Sequence, residues 1–197
     1  MSKTQFNPRT LILLCIILLV TLFRLVVTFN TDIFAFANFS SIGAVALFGG
    51  AYFKNWGKAL AFPLISLFLS DFILANTIYK AYSNGFSYDG WYWTYLAFAL
   101  MVLVGRLVLK RPSVISYLAS AVAVVFIHWV VTDIGVWYQN PGYTQDAAGF
   151  WLCLVKAIPF EGKFLLGTLI YGALMFGAFE LIKARYPALK RPELLPG

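Results

Sequence analysis

Apolar residues in this chain fall in long runs broken by short polar stretches, not in the strict alternation of a membrane barrel. Six runs stand out, near 11–29, 39–53, 59–76, 91–109, 114–138 and 164–182. A helix needs about 20 predominantly apolar residues to cross the hydrocarbon of a bilayer. Most of these runs meet that length, which predicts an all-α, polytopic membrane bundle of six transmembrane helices. The run at 39–53 is short and rich in small residues, including Gly43, Gly49 and Gly50. The stretch 147–160 is amphipathic and ends at Pro159, which reads as a half-helix or re-entrant segment on the outer side. No small-x-small cleavage pattern follows the first run, so it is expected to stay as a helix. Residues 1–186 form one transmembrane domain on this reading, and 187–197 a cytoplasmic tail.

Composition makes the bilayer necessary. Of 197 residues, 61% are hydrophobic and 12% charged, where a soluble domain carries about 25% charged residues. A water-soluble fold of this size has too little interior to hide the excess. The net charge of +7 raises the question of nucleic acid, but the basic residues flank apolar runs instead of forming one patch, and nucleic acid is not an expected partner.

The flanking charges also give an orientation. With the N-terminus inside, the cytoplasmic stretches hold Lys3, Arg9, Lys54, Lys58, Lys110, Arg111, Lys183, Arg185, Lys190 and Arg191. The opposite side holds Lys80, Lys156 and Lys163, with Asp32, Asp89, Asp146 and Glu161. Such a bias predicts both termini in the cytoplasm of a bacterial inner membrane. Trp91, Tyr92, Trp93, Tyr95, Trp137 and Tyr138 gather at the outer ends of the fourth and fifth runs, and Trp56 at an inner end, as interfacial rings do. Cys15 and Cys153 fall at different depths and lack metal-ligand spacing, so neither a disulfide nor a metal site is expected.

Ionisable groups at membrane depth are costly, so each needs a partner or a function. At 1.5 Å of rise per residue, Arg24 lies about 20 Å from the inner boundary, Asp71 about 18 Å and His128 about 21 Å. Three helices thus bring a cation, an anion and an imidazole to one layer in the outer half. Asp133 lies higher on the fifth run, with Trp129 and Trp137 four residues to either side on the same face. One reading is an outward-facing substrate site lined by Arg24, Asp71, His128, Asp133, Trp129 and Trp137. The other is structural: Arg24 pairs with Asp71 to join helices one and three, and His128 donates to a backbone carbonyl. Nearer the cytoplasm, Arg106 and Glu180 suggest an inter-helix ion pair or snorkelling. Ala119/Ala123 and Ala173/Gly177 have the small-xxx-small spacing of close helix packing.

No catalytic pattern is present. There is no Walker-type loop, no GxGxxG, and no nucleophile with a convincing base, so an enzyme is not expected and no cofactor is indicated.

Five segments carry a resemblance: FSSIGAVALFGGAYF (39–53), FPLISLFLSDFIL (62–74), TYLAFALMVLVGRLVLKR (94–111), TDIGVWY (132–138) and AIPFEGKFLLGTLIYGALMFGAFEL (157–181). Together they resemble an uncharacterised family of bacterial membrane proteins assigned to transport, over roughly residues 20–182. More distantly the pattern is similar to the substrate-binding S components of energy-coupling-factor vitamin importers, six-helix proteins of this size. That resemblance implies a vitamin or micronutrient-like ligand held near the outer face by Asp71 and the Asp133–Trp137 region. It also implies an energising transporter module as partner. The chain departs from the pattern: it has no alanine-xxx-alanine face on helix one, carries Asp133 where asparagine is expected, and lacks the acid often found near Thr168. Solute binding for uptake is therefore the leading expectation, and an accessory subunit of a larger membrane complex the alternative.

Orientation is directly testable. In a cysteine-free background, Asn140→Cys is expected to react with a membrane-impermeant maleimide in intact cells, and Lys190→Cys only after permeabilisation. The reverse pattern would overturn the charge-based topology.

Overall fold

A computed structural model describes residues 8–30, 39–82, 90–186 and 189. It contains six α-helices: α1 (Pro8–Asn30), α2 (Ile42–Tyr52), α3 (Trp56–Asn76), α4 (Trp91–Val108), α5 (Val114–Trp137) and α6 (Ala147–Arg185), with a 3₁₀ turn at Lys80–Tyr82. Five of them are long and apolar enough to cross a membrane. The basic residues Lys3, Lys190 and Arg191, the acids Asp32 and Asp89, and nearly all of the expected tail lie outside the described residues.

The short second run becomes the hub of the bundle. Its 11 residues, IGAVALFGGAY, reach only about 17 Å, half the hydrocarbon thickness. The segment is apolar all round, and a helix with no polar face belongs inside. Gly43 through Gly50 and Tyr52 are all buried, and α2 packs against every other helix. Glycine makes the tightest crossing possible. A Cβ on Gly50 would overlap the backbone of Val102 and Arg106, and one on Gly105 that of Leu47, so α2 and α4 meet backbone to backbone. In lipid, where burial gives no drive for helices to associate, such close approach is a main source of cohesion.

The chain ends share one side. Arg9 on α1 donates to Leu189 O at 2.9 Å and to Tyr52 O at 3.4 Å. The foot of α1, the C-terminus of α2 and the residue after α6 therefore meet at one end, called here the basic end. At the opposite, aromatic end, Trp137 Nε1 donates to Thr144 O at 2.8 Å and closes the α5–α6 connection.

α6 differs from the sequence expectation. In place of a half-helix ending at Pro159 and a separate span at 164–182, one continuous helix of 39 residues runs from Ala147 to Arg185. It begins on Asp146, whose side chain accepts from Gly149 N; that bond, with a second from Thr144, holds the exposed Asp146 carboxyl below its ordinary range. Pro159 lacks an N–H but does not end the helix, which runs through it unbroken. The charges that suggested a loop are accommodated: Glu161 turns inward to His128, and Lys163 lies 5.8 Å from the centre of the Phe160 ring.

The small-xxx-small expectation is corrected as well. Ala119, Ala173 and Gly177 lie on exposed faces, and no neighbour stands within 4 Å of a Cβ built on Gly177. Close packing uses Gly43, Gly50, Gly105, Gly135, Gly167 and Gly172 instead. Arg106 and Glu180 do not pair with each other. Arg106 donates to Phe53 O and Lys54 O at 3.0 and 2.7 Å, while Glu180 accepts from Tyr52 and pairs with Lys183. The C-terminal end of α2 lies between them, and its free carbonyls attract the guanidinium.

These contacts separate the glycines. Gly105→Val forces backbones apart, and overpacking of this kind costs roughly 1–3 kcal/mol or more. Its melting temperature in detergent should fall by several degrees, whereas Gly177→Ala should leave it within error. Equal effects in the two variants would contradict the α2–α4 contact.

Candidate functional site

Two ion pairs form at the depth where the sequence places its buried charges. Arg24 projects from α1 somewhat under two turns before its end and meets α3, which runs parallel to it. Both terminal nitrogens of Arg24 stand 3.4 Å from Asp71 Oδ1, and Nη1 also donates to Ser70 Oγ. The side chains are 13% and 10% exposed, so this is a largely desolvated pair. Ser70, Ser66, Ser41 and Thr21 surround it and are buried. With Arg24 they line a cavity of about 10 Å³, close to the smallest volume that holds one water molecule.

The second pair joins α5 to α6. His128 Nδ1 lies 2.9 and 3.1 Å from the two Glu161 oxygens, and the imidazole stacks on Phe164 at 4.2 Å. His128 thus takes a carboxylate in place of the backbone carbonyl expected for a structural role. Glu161 was counted with the outer acids, yet its side chain is buried. The signal that finds it is periodicity. Glu161, Phe164, Thr168, Tyr171, Met175 and Phe179 follow one another at spacings of three and four and are all buried, so extending the core stripe of α6 back past Pro159 puts Glu161 inside.

Asp133 stands one and a half turns beyond His128, buried against α6. Cys153 Sγ is 4.0 Å from its Oδ1 and 3.9 Å from its backbone oxygen, and Glu161 and His128 lie within electrostatic range. Trp129 Nε1 donates to Leu154 O at 2.9 Å, and Trp137 Nε1 to Thr144 O. The first indole fastens α5 to α6 and the second fastens α5 to the connection between them, both through backbone carbonyls.

The expected layer therefore exists as two paired clusters, Arg24–Asp71 on α1/α3 and His128–Glu161–Asp133 on α5/α6. The N-terminus of α2 lies between them. Ser40 Oγ accepts from Ile42 N at 3.3 Å, and Ser41 N-caps the helix without a side-chain bond. Gly43, in the first turn, leaves room for Thr168 and Phe164 of α6; a Cβ there would overlap Thr168 Oγ1. Tyr171, one turn below, touches Phe23 and Phe39 and lies within electrostatic range of Arg24. Thr168 and Tyr171 thus connect the two clusters along α6, and sequence reasoning did not select either as a site residue.

Three buried side-chain oxygens in this region have no hydrogen-bond partner: Asp133 Oδ2, Thr168 Oγ1 and Tyr171 Oη. Among the described residues, no group of three His, Cys, Asp or Glu side chains has the geometry of a metal site.

Five apolar spans around a buried half-helix, with charges paired at depth, define a polytopic helical membrane protein. The chain belongs to DUF6580, a family of unknown function whose sequence profile matches residues 4–189. No curated protein and no solved structure matches the chain. The family match brings no function with it and no tie to the energy-coupling-factor S components.

The Arg24–Asp71 pair makes a quantitative prediction. Removing one partner strands a buried charge, at a cost of about 3–5 kcal/mol, while replacing both with apolar residues is far milder. Arg24→Leu should therefore lower the melting temperature sharply, and Arg24→Leu/Asp71→Leu should recover most of it. Additive losses in a double-mutant cycle would show that the two side chains act independently.

Proposed function

We propose that the protein is a membrane-embedded binding subunit for a small polar solute, acting in uptake across a bacterial cytoplasmic membrane. On this reading both termini are cytoplasmic, the solute sits in the outer half, and energy comes from a partner module, since the chain has no nucleotide-binding loop. The subunit binds and carries out no chemistry of its own. A vitamin or micronutrient-like solute is the class that the S-component resemblance implies.

The observation that carries this reading is the set of unpartnered buried oxygens on Asp133, Thr168 and Tyr171. A buried hydroxyl left unsatisfied costs roughly 1–3 kcal/mol, and hydrocarbon around the bundle offers no water to compensate. Two of the three belong to one inward stripe of α6, next to the free amide end of α2. Unsatisfied donors and acceptors that persist next to fully paired charges are what a site built to hydrogen-bond a ligand presents. Arg24, Asp71, His128 and Glu161 then position the walls, while Thr168 and Tyr171 face the solute and Asp133 stands further toward the aromatic end.

One observation favours a second reading, an accessory subunit of a larger membrane complex. The cavity beside Arg24 has room for about one water molecule, and the indoles of Trp129 and Trp137 are spent on backbone carbonyls of α6 and of the α5–α6 connection. Charged pairs would then be internal ties alone.

Substitutions that remove only the orphaned hydroxyls separate the two. Thr168→Val and Tyr171→Phe keep shape and discard an unsatisfied polar group, so the melting temperature should hold steady or rise by a few degrees. A small molecule that co-purifies with the wild type in native mass spectrometry should be lost from both variants. Retention of a protein partner, with no small-molecule mass in wild type or variant, supports the accessory reading and overturns solute binding.

A further inference from the structure

A roomy cavity lies at the basic end, away from the site just discussed. Its volume is about 460 Å³, and Arg9, Lys54, Lys58, Arg106 and Lys110 line it together with Trp56. Among the described residues, no carboxylate lines it. The five cations come from four places in the fold: the foot of α1, the α2–α3 turn, the first turn of α3 and the end of α4. Positive charges that merely fix topology can lie anywhere in the flanking loops; nothing in that requirement brings them to one cavity.

Two of the cations are held in place. Arg106 is fixed by Phe53 O and Lys54 O and stacks on the Trp56 ring at 3.9 Å. Arg9 is fixed by Leu189 O and Tyr52 O. The carbonyls that hold Arg106 are neutral, so its positive charge remains available to an anion. The N-terminus of α3 adds to the field, because its first amides have no intrahelical acceptor and its dipole favours an anion. Trp56 and Leu107, both cavity-lining, are 48% and 63% exposed. In a bundle whose outer surface is apolar, an exposed leucine and tryptophan beside basic groups mark the headgroup level of the membrane.

We infer that this cavity is a binding site for the phosphate headgroup of an anionic phospholipid. The phosphate would sit among Lys54, Lys110 and the Arg106–Trp56 stack, with the glycerol and acyl chains leaving past Leu107. Basic pockets between membrane helices bind anionic headgroups in this manner. A free phosphate offers the same charge, but it has no use for the apolar exit and fills little of the volume. The inference is independent of the solute reading, which concerns the other half of the bundle.

The test is native mass spectrometry of the full chain in detergent, titrated with dioleoyl phosphatidylglycerol or dioleoyl phosphatidylcholine. Wild type should bind the phosphatidylglycerol several-fold more tightly. Lys54→Gln/Lys110→Gln should weaken that binding by roughly thirtyfold, at the usual contribution of each basic residue near a charged surface, and Lys110→Gln alone by a smaller factor. Both lysines are exposed, so melting curves should match the wild type. Lys156→Gln/Lys163→Gln, which removes the same charge elsewhere, should leave the preference intact. Equal affinity for the two lipids, or an equal loss in both double variants, overturns the site. Release of bound phosphatidylglycerol by millimolar inorganic phosphate overturns the lipid assignment in favour of a soluble phosphate anion.

Discussion

Everything in this bundle depends on burying a helix that is too short to cross the membrane. α2 begins deep in the bundle and ends at the basic side, and its free backbone groups find partners within the protein at both ends. At one end Tyr52, Phe53 and Lys54 carbonyls take the guanidinium groups of Arg9 and Arg106. At the other, two serines and a glycine let α6 approach the first amides. The contrast follows from polarity. The carbonyl end is partnered by fixed cations, and the amide end faces neutral hydroxyls and a layer of paired charges.

That polarity divides the molecule into two chemically distinct halves. The basic end has a roomy cavity lined by five basic side chains. The opposite half has a cavity of about 10 Å³ beside Arg24 and carries the unsatisfied oxygens. A site that is large and charged suits a headgroup, and a tight site with orphaned hydrogen-bonding groups suits a small solute whose own polar atoms replace water. Both follow from where α2 begins and ends.

Much of the fold is readable from the sequence, because lipid imposes one strong rule on apolar run length. The limits of α3, α4 and α5 lie within three residues of the runs that suggest them. The Arg24–Asp71 pair is equally readable, since α1 and α3 run parallel and equal distances along parallel helices give equal depth. What is not readable depends on partners far away in the chain. Glu161 looks like a loop residue until His128, 33 positions earlier, is known to face it. Pro159 looks like a stop, yet α6 runs through it and carries Glu161 inward to His128. Small-residue spacing names Ala173 and Gly177, but which small residues are used depends on where α2 crosses α4 and α6. Thr168 and Tyr171 escape notice because a threonine and a tyrosine in a membrane helix are ordinary, and only the lack of a partner sets them apart.

The central claim is that the unpartnered oxygens of Asp133, Thr168 and Tyr171 exist to meet a solute. A crystal structure grown from a lipidic mesophase, at a resolution that shows ordered water, tests it most directly. The account predicts density for a bound small molecule within hydrogen-bonding distance of at least two of these oxygens. Three oxygens each satisfied by a lone water, or by a rearranged side chain of the protein itself, would contradict it.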